Sequence, residues 1–337
     1  MAVTRLEDVI VPEVFMPYVV QRTAEKSRLI QSGIVQNSPQ FDQKANGEGR
    51  TVNMPFWNDL DGDDTVVKGD GSEVVPGKLS TSKDVACKII REKSWSYNDL
   101  TGYLAGSDPS AVIGDLVADY RVRRQQAQLV ATLKGVFAAA SMAGNTHDIH
   151  ITSGGGSPTS ANILNATSFI DAKQKLGDSK EVLTAIMMHS AVEALLAKLD
   201  LIDFIPNSQQ AGVIKVFQGL EVIVDDGCPT ETVDSKTVYT SYLFGRGAIA
   251  LGNGSGNMPV DGGVGTWETE FFRVAKAGDS GVIFRWKNIM HPRGVKWTDT
   301  TVAADTPDNT ELATSANWLR VYETKQIRVV RIRSNVL

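Results

Sequence analysis

Several residues of this chain are of types that do chemistry, and their spacing decides whether they act together. His147, Asp148 and His150 form the tightest group of metal-ligand types. A closed zinc site needs a further ligand on a defined scaffold, and the neighbourhood supplies neither a third histidine nor a placed carboxylate, so the stretch reads as the polar end of a strand. Asp59, Asp61, Asp63 and Asp64 surround Gly62. A calcium loop needs its glycine elsewhere, a terminal glutamate and flanking helices, so this acidic stretch reads as a solvated turn. The glycines at 154–156 lack the Lys-Ser/Thr that would follow them in a phosphate loop. Asp225 and Asp226 are adjacent, and neighbours in extended chain point to opposite sides, so they do not make an acid/base pair. His189 follows an apolar run and reads as an end-of-strand histidine packed beside a helix cap. Cys87 and Cys228 are the only cysteines. Two thiols in unrelated contexts build no zinc cage, and both read as small buried hydrophobes. No nucleophile elbow, H-E-x-x-H or dinucleotide fingerprint is present. The expectation is a building part with no catalytic residue, cofactor or metal.

Composition sets the scale of that part. The chain has 337 residues, 42% apolar and 22% charged, which is long enough for two core-forming units. Its net charge of −5 gives no basic footprint, which argues against avid binding to nucleic acid phosphates. There is no run of eighteen apolar residues, and the opening MAVTRLEDVI lacks the regions of a signal peptide, so a cytoplasmic protein is expected.

One element must position the rest. Asp108 is a good N-cap and Pro109 a good first helical residue. Apolar side chains at Ile113, Leu116, Val117, Tyr120, Ala127, Val130, Leu133 and Phe137 then recur at helical spacing, predicting a long spine helix over 109–140. Asp115, Arg121, Arg123, Arg124, Gln125, Gln126 and Lys134 are expected on its open face. Before it, residues 1–46 read as an arm with short amphipathic helices up to Gly33, and the polar stretch from Gln36 to Gly49 as an extended tether. Arg50 to Trp57 and Ser80 to Lys93 alternate as the two strands of a long hairpin with an acidic tip. Residues 94–106 are expected to connect it to the helix, with Trp95 and Tyr97 as anchors.

Beyond the helix, a loop or pair of short strands is followed by a short helix over 164–176. An apolar strand over 182–188 comes next, with Ser190 capping a helix over 191–199. Strands are expected at 212–217, 220–224, 239–244 and 248–251, and a hairpin at 266–276 and 281–287. A capping box at Asp308 and Glu311 precedes a short helix over 311–318. A last strand over 325–333 carries Arg328, Arg331 and Arg333 on one face, read as a subunit contact. This mixture is α+β.

The succession of VIVPEVFMPYVVQRTAEKSRLIQSGIV, the β-excursion, the long helix opened by DPS, TAIMMHSAVEALLAK, GLEVIVDDGCP, YLFGRGAIALG and TPDNTELATSANWLRVYETKQIRVVRIRSN resembles the major capsid proteins of tailed double-stranded DNA bacteriophages over nearly the whole chain. The resemblance implies the Hong Kong 97-type shell fold: an N-terminal arm (1–46), an extended β-hairpin loop (47–98) lying over a neighbouring subunit, a peripheral domain (99–180) with the spine helix, an axial domain (181–290), and a return to the peripheral domain (291–337). It implies a structural protein that self-assembles into pentamers and hexamers of an icosahedral shell enclosing DNA only as contents, in a virion assembled in the host cytoplasm with no membrane. Because the arm begins almost at Met1, a separate scaffolding protein is expected, together with a portal and a possible decoration protein. Contacts between subunits are expected at Trp57, Asp59, Asp61 and Lys68 of the hairpin, at Arg121, Arg123 and Arg124 of the helix, and at Arg328, Arg331 and Arg333. The alternative is an encapsulin-type compartment on the same fold.

Overall fold

The computed structural model describes residues 33–64, 66–67, 76–98, 109–151, 156–206, 213–233, 236–254, 268–274 and 279–336. The helices expected in the arm, the Asp108 cap, Lys68 and most of the glycine-rich stretch after Gly252 lie outside them.

Two sheets and one long helix make up the frame. The first sheet runs β1 (Val35–Asn37), β11 (Ile249–Gly254), β13 (Asp279–Pro292), β3 (Thr81–Asn98), β2 (Thr51–Trp57), with β12 (Thr269–Val274) also on β13. The second runs β4 (Thr146–Asp148), β16 (Val329–Asn335), β10 (Lys236–Gly245), β5 (Leu183–Met188), β8 (Leu220–Val224), β7 (Val213–Phe217), β6 (Asp203–Pro206), with β9 (Thr230–Val233) on β10. A two-stranded ribbon joins β14 (Val295–Trp297) to β15 (Trp318–Arg320). Mixed parallel and antiparallel pairing in both sheets gives the α+β class expected from the sequence.

The helices are α1 (Pro39–Asn46), α2 (Pro109–Ala138), α3 (Ala166–Lys173), α4 (Ser190–Lys198) and α5 (Asn309–Leu312), and α2 is the predicted spine. Its buried side is rotated from the one its apolar residues mark. Leu116 is exposed, whereas Gln125, Gln128 and Thr132 are buried with Leu129, Leu133, Val136 and Phe137. The buried amides find partners on the first sheet: Asn288 donates to Gln128 Oε1 at 3.0 Å and Gln125 to Asn253 Oδ1 at 3.4 Å. A polar side chain enters a core at little cost when its hydrogen bonds are made there, and apolar periodicity alone does not foresee this.

The C-terminal half of α2 shares one core with both sheets, through Cys87, Ile89, Ile249, Leu251 and Met290 of the first and Ala185, Met187, Tyr242, Phe244 and Val329 of the second. Its N-terminal half lies over Val282, Phe284 and Trp286, where Trp95 meets Tyr120 edge to face at 5.1 Å. The other face of the second sheet is covered by α3 and α4, with Phe169 against Phe217.

Several local expectations change. The stretch read as a tether is β1 and α1: Pro39 starts the helix, and Phe41 and Ala45, one turn apart, pack against Ala86 and Ile289. The returning hairpin strand does not stop at Lys93 but continues to Asn98, taking in Trp95 and Tyr97, because β13 pairs it along its second half. His189 rather than Ser190 caps α4, its Nδ1 accepting from Ala191 N–H at 3.1 Å. The capping box of Asp308 and Glu311 is formed, but its helix ends at Leu312 and a 3₁₀ turn follows. The last strand begins at Val329 and pairs with β10 in the second sheet.

Gly135 is where α2 meets the chain's C-terminal part most closely. A Cβ there would stand 2.0 Å from the Leu312 carbonyl oxygen and 2.7 Å from Trp318 Nε1, which donates to that same oxygen at 2.8 Å. Gly135→Ala should therefore separate α2 from α5 and break a buried hydrogen bond, costing about 3 kcal/mol or more. Urea unfolding of the unassembled subunit checks this.

Candidate interaction surfaces

The hairpin of β2 and β3 is fixed at its root and open at its tip. At the root, Asp84 Oδ2 accepts from Gly294 N–H at 3.0 Å and lies 3.0 Å from His291 Nε2, both side chains being almost fully buried. Lys88 Nζ, also buried, donates to the carbonyls of Gly47 and Glu48 just past the end of α1. The segment after β14 crosses the strand: Thr306 Oγ1 accepts from Ile90 N–H at 3.0 Å and donates to the Lys88 carbonyl at 3.2 Å. Phe56 stands edge to face on Tyr322 at 4.8 Å. These contacts hold the direction in which the hairpin leaves the body.

The tip lacks such support. Trp57, Leu60, Val66 and Val67 are 69%, 81%, 86% and 94% exposed, and Asp59, Asp61, Asp63 and Asp64 are exposed beside them. Asp59 and Asp61 each accept from the backbone N–H of the next residue, which uses their oxygens locally. A two-stranded ribbon carrying this much apolar surface cannot bury it by itself.

The outer flank of α2 is the second open surface. Arg123 and Arg124 are exposed as expected, Arg124 over the Tyr120 ring at 5.2 Å. Arg121, expected beside them, turns inward instead: its Nε is buried without a hydrogen bond, and burial lowers its pKa against the opposing pull of Glu268. One residue further along a helix is about 100° of rotation, enough to take a side chain from one surface to another. Between Arg123 and Lys134 lies a groove of about 460 Å³, lined by Ala127, Val130 and Ala131 and walled by Asp225 and Gly227. Asp225 is already engaged, accepting from Gln126 Nε2 and from Gly227 N–H.

The basic residues near the end of the chain are largely satisfied within it. Arg328 donates to the Arg246 carbonyl at 3.0 Å, and Arg333 donates to Glu231 Oε2 at 2.6 Å. Arg331 lies over the Phe137 ring at 5.6 Å with its Nε buried, and burial lowers its pKa. The basic face read from alternation is thus partly an internal packing face against α2. Sequence reasoning also missed an apolar edge at β6 and β7, where Phe204, Ile205 and Ile214 are half exposed. Their only signal was an apolar run in a short strand.

The remaining polar candidates stay dispersed. His147 lies in β4 and His150 just beyond its end, and burial lowers the pKa of both. Cys87 and Cys228 are buried, and burial pushes the Cys87 thiol up to about 12, so it is inert at neutral pH. Among the described residues no three His, Cys, Asp or Glu side chains are grouped to hold a metal ion, and no helix is long and apolar enough to cross a membrane.

Two predictions come from these placements. Asp84→Ala removes the acceptor for Gly294 and the partner of His291, and should destabilise the subunit by about 3 kcal/mol in urea unfolding, with Asp84→Asn costing less. His147 and His150 bind protons less readily folded than unfolded. The unfolded chain therefore takes up more protons just below the ordinary value of 6.5, and the fold should lose stability as pH falls through that window. The urea midpoint of the unassembled subunit should drop from pH 6.5 downward, and drop less in His147→Asn/His150→Asn.

Comparison with known proteins extends the picture from surfaces to kind. No family model matches the chain. Over 336 residues it is 43% identical to the major capsid protein of Bacillus phage SPP1, covering 99% of this chain and 98% of that protein. Among solved structures it resembles the capsid of Ralstonia phage GP4 (TM-score 0.57, 11% identity, 92% of this chain and 89% of that one). It also resembles the capsid of cyanophage Pam1 (0.57, 11%, 94% and 92%) and the SrpI encapsulin of Synechococcus elongatus PCC 7942 (0.54, 10%, 92% and 88%). At these identities the solved structures speak to the fold alone.

Proposed function

The chain belongs to the major capsid proteins of tailed double-stranded DNA bacteriophages, and we propose that its two open surfaces, the hairpin tip and the outer flank of α2, are where neighbouring copies hold one another. It is a structural protein of the virion, and copies of it form the pentamers and hexamers of an icosahedral shell enclosing double-stranded DNA. The observation that carries this function is 43% identity maintained over 99% of the chain. An encapsulin-type compartment shares the fold at 10% identity, which favours the architecture without favouring the cargo.

On this reading the role is structural throughout, with no enzymatic step. The six-stranded sheet with α2 corresponds to the peripheral domain and the eight-stranded sheet to the axial domain. On that assignment the first sheet takes β11 and β13 from within 181–290, while the second takes β4 from 99–180 and β16 from 291–337. Trp57, Asp59, Asp61, Lys68, Arg123 and Arg124 are the residues we assign to contacts between copies. What supports the assignment, for all of these but Lys68, which lies outside the described residues, is exposed apolar and charged surface on elements rooted in the body of the subunit. Arg331 and Arg333 support such contacts indirectly, through the Phe137 ring of α2 and Glu231 of β9. Assembly in the host cytoplasm on a separate scaffolding protein, around a portal and with a possible decoration protein, completes the proposal.

Many modest contacts in a closed symmetric shell act together, so assembly is steeply cooperative while the free subunit stays soluble. Expressed alone or with a candidate scaffolding protein, the chain should yield large closed particles by sedimentation and electron microscopy. Small discrete oligomers under every condition would overturn the shell reading.

A further inference from the structure

We infer that Arg246, Arg293 and Arg328, gathered around the turn between β10 and β11, form a contact for the phosphate backbone of the enclosed double-stranded DNA. The presence of DNA rests on the shell reading, whereas the contact is a property of one subunit.

Three distant parts of the chain bring these guanidinium groups together. Arg246 occupies the turn itself, between Gly245 and Gly247, and is exposed. Gly247 is left-handed at φ 64°, and a Cβ there would stand 2.7 Å from Gln36 Oε1. Arg328 lies along one side of the turn: its carbonyl accepts from Gly245 N–H at 2.9 Å and its Nη1 donates to the Arg246 carbonyl at 3.0 Å. A Cβ on Gly245 would meet the Arg328 Cβ at 3.1 Å, so glycine there lets the two segments lie this close. Arg293 arrives just past the end of β13. Its N–H donates to the Ala248 carbonyl at 3.1 Å, and its Nη2 donates at 3.4 Å to Gln36 Oε1, the same oxygen that lies over Gly247.

What holds these cations does not neutralise them. Arg293 and Arg328 are exposed and anchored on neutral oxygens, and the Arg246 side chain makes no hydrogen bond among the described residues. None of the three forms an ion pair there, whereas Arg50, Arg285 and Arg333 each do. Asp84, the buried carboxylate close by, is turned to His291 and the Gly294 N–H. Glu181 and Glu323, exposed on the adjoining segments, pair with none of the three. A guanidinium carries five N–H donors, so one anchoring bond leaves most of each fork open.

Phosphate fits what is left. The planar fork of arginine matches two oxygens of one phosphate, and three forks around one turn offer that match to more than one phosphate of a strand. Over the whole chain 39 carboxylates stand against 34 basic side chains. The patch is therefore a local reversal of sign on a subunit that otherwise repels DNA. So small a contact is weak and salt-sensitive, which leaves the DNA able to slide past it as a shell fills or empties.

Binding of a short DNA duplex to the unassembled subunit, followed by fluorescence anisotropy against salt, tests the patch. Three phosphate contacts give a slope of about −2.7 for log K against log salt, so affinity should fall about 40-fold between about 50 and 200 mM salt. Arg246→Gln, which removes no internal hydrogen bond, should flatten the slope by about 0.9, and Arg246→Gln/Arg293→Gln/Arg328→Gln should bring it close to zero. No binding of the duplex at low salt, or an Arg246→Gln variant with the wild-type slope, would overturn the patch. Labelling of arginines with phenylglyoxal, read by mass spectrometry, tests it in particles. All three should react several-fold less in DNA-filled particles than in particles emptied of DNA. Equal reactivity in both would overturn the contact with DNA, and equal protection in both would assign the patch to a protein neighbour instead. If no shell forms, the shell reading falls and the duplex titration alone decides the patch.

Discussion

Between Leu129 and Phe137 the long helix packs into a single core with side chains from both sheets, and every other placement depends on that burial. Leu129, Leu133, Val136 and Phe137 are each buried, and together they bring Ile249 and Met290 of one sheet into the same core as Tyr242 and Phe244 of the other. Side chains of this kind contribute about 1.5–3 kcal/mol each when removed from water, which is a large share of the stability of any domain. The close approach at Gly135 lets the ribbon of β14 and β15, with Trp297 against Trp318, seal the end of that core. The helix is therefore less a spacer between two units than the common wall of both.

That wall explains why the hairpin is stiff at one end and incomplete at the other. β3 is shared: Thr81 to Cys87 pair with β2, and Lys88 to Asn98 pair with β13 beneath the helix. The same strand is thus clamped in the core along one half and projects along the other. Asp84, Lys88 and Thr306 gather at the changeover, where the strand exchanges one partner for the next and its backbone and side chains need new acceptors. A projecting ribbon anchored in this way leaves the body in a direction set by its contacts with β13 and the segments around Gly294 and Thr306.

Much of this was legible before any coordinates. The long helix, the hairpin, the strand 183–188 with its following helix and the Asp308/Glu311 box all follow from periodicity and capping chemistry, which are local. What was not legible depended on partners distant in sequence. Gln125 looks like a surface residue until Asn253 stands opposite it. Arg331 looks like part of a basic edge until Phe137 lies under it. The stretch from Gln36 to Gly49 looks like a tether because a three-residue strand and a two-turn helix carry too few apolar positions to signal themselves, and only Ile249, Ala86 and Ile289 give them something to pack on. The interaction surfaces were legible in type and not in extent. The acidic hairpin tip was evident from composition, whereas the groove was invisible, since Ala127 and Val130 had been assigned to the buried stripe.

The rotation of that stripe carries the deepest consequence. Had α2 buried every apolar residue it possesses, Leu116, Ala127 and Val130 would have been spent on the subunit's own core and its outer flank would have been uniformly polar. Burying Gln125, Gln128 and Thr132 instead turns Ala127, Val130 and Ala131 partly outward, between two cations. The buried amides contribute less to folding than aliphatic side chains of equal size would, because each must first give up water and then find a partner of matching geometry. In return they fix the angular setting of the helix, since only one rotation lets both Gln125 and Gln128 reach the asparagines of β11 and β13. A subunit that folds this way gives up some stability of its own to hold an apolar, basic-rimmed surface at a defined angle.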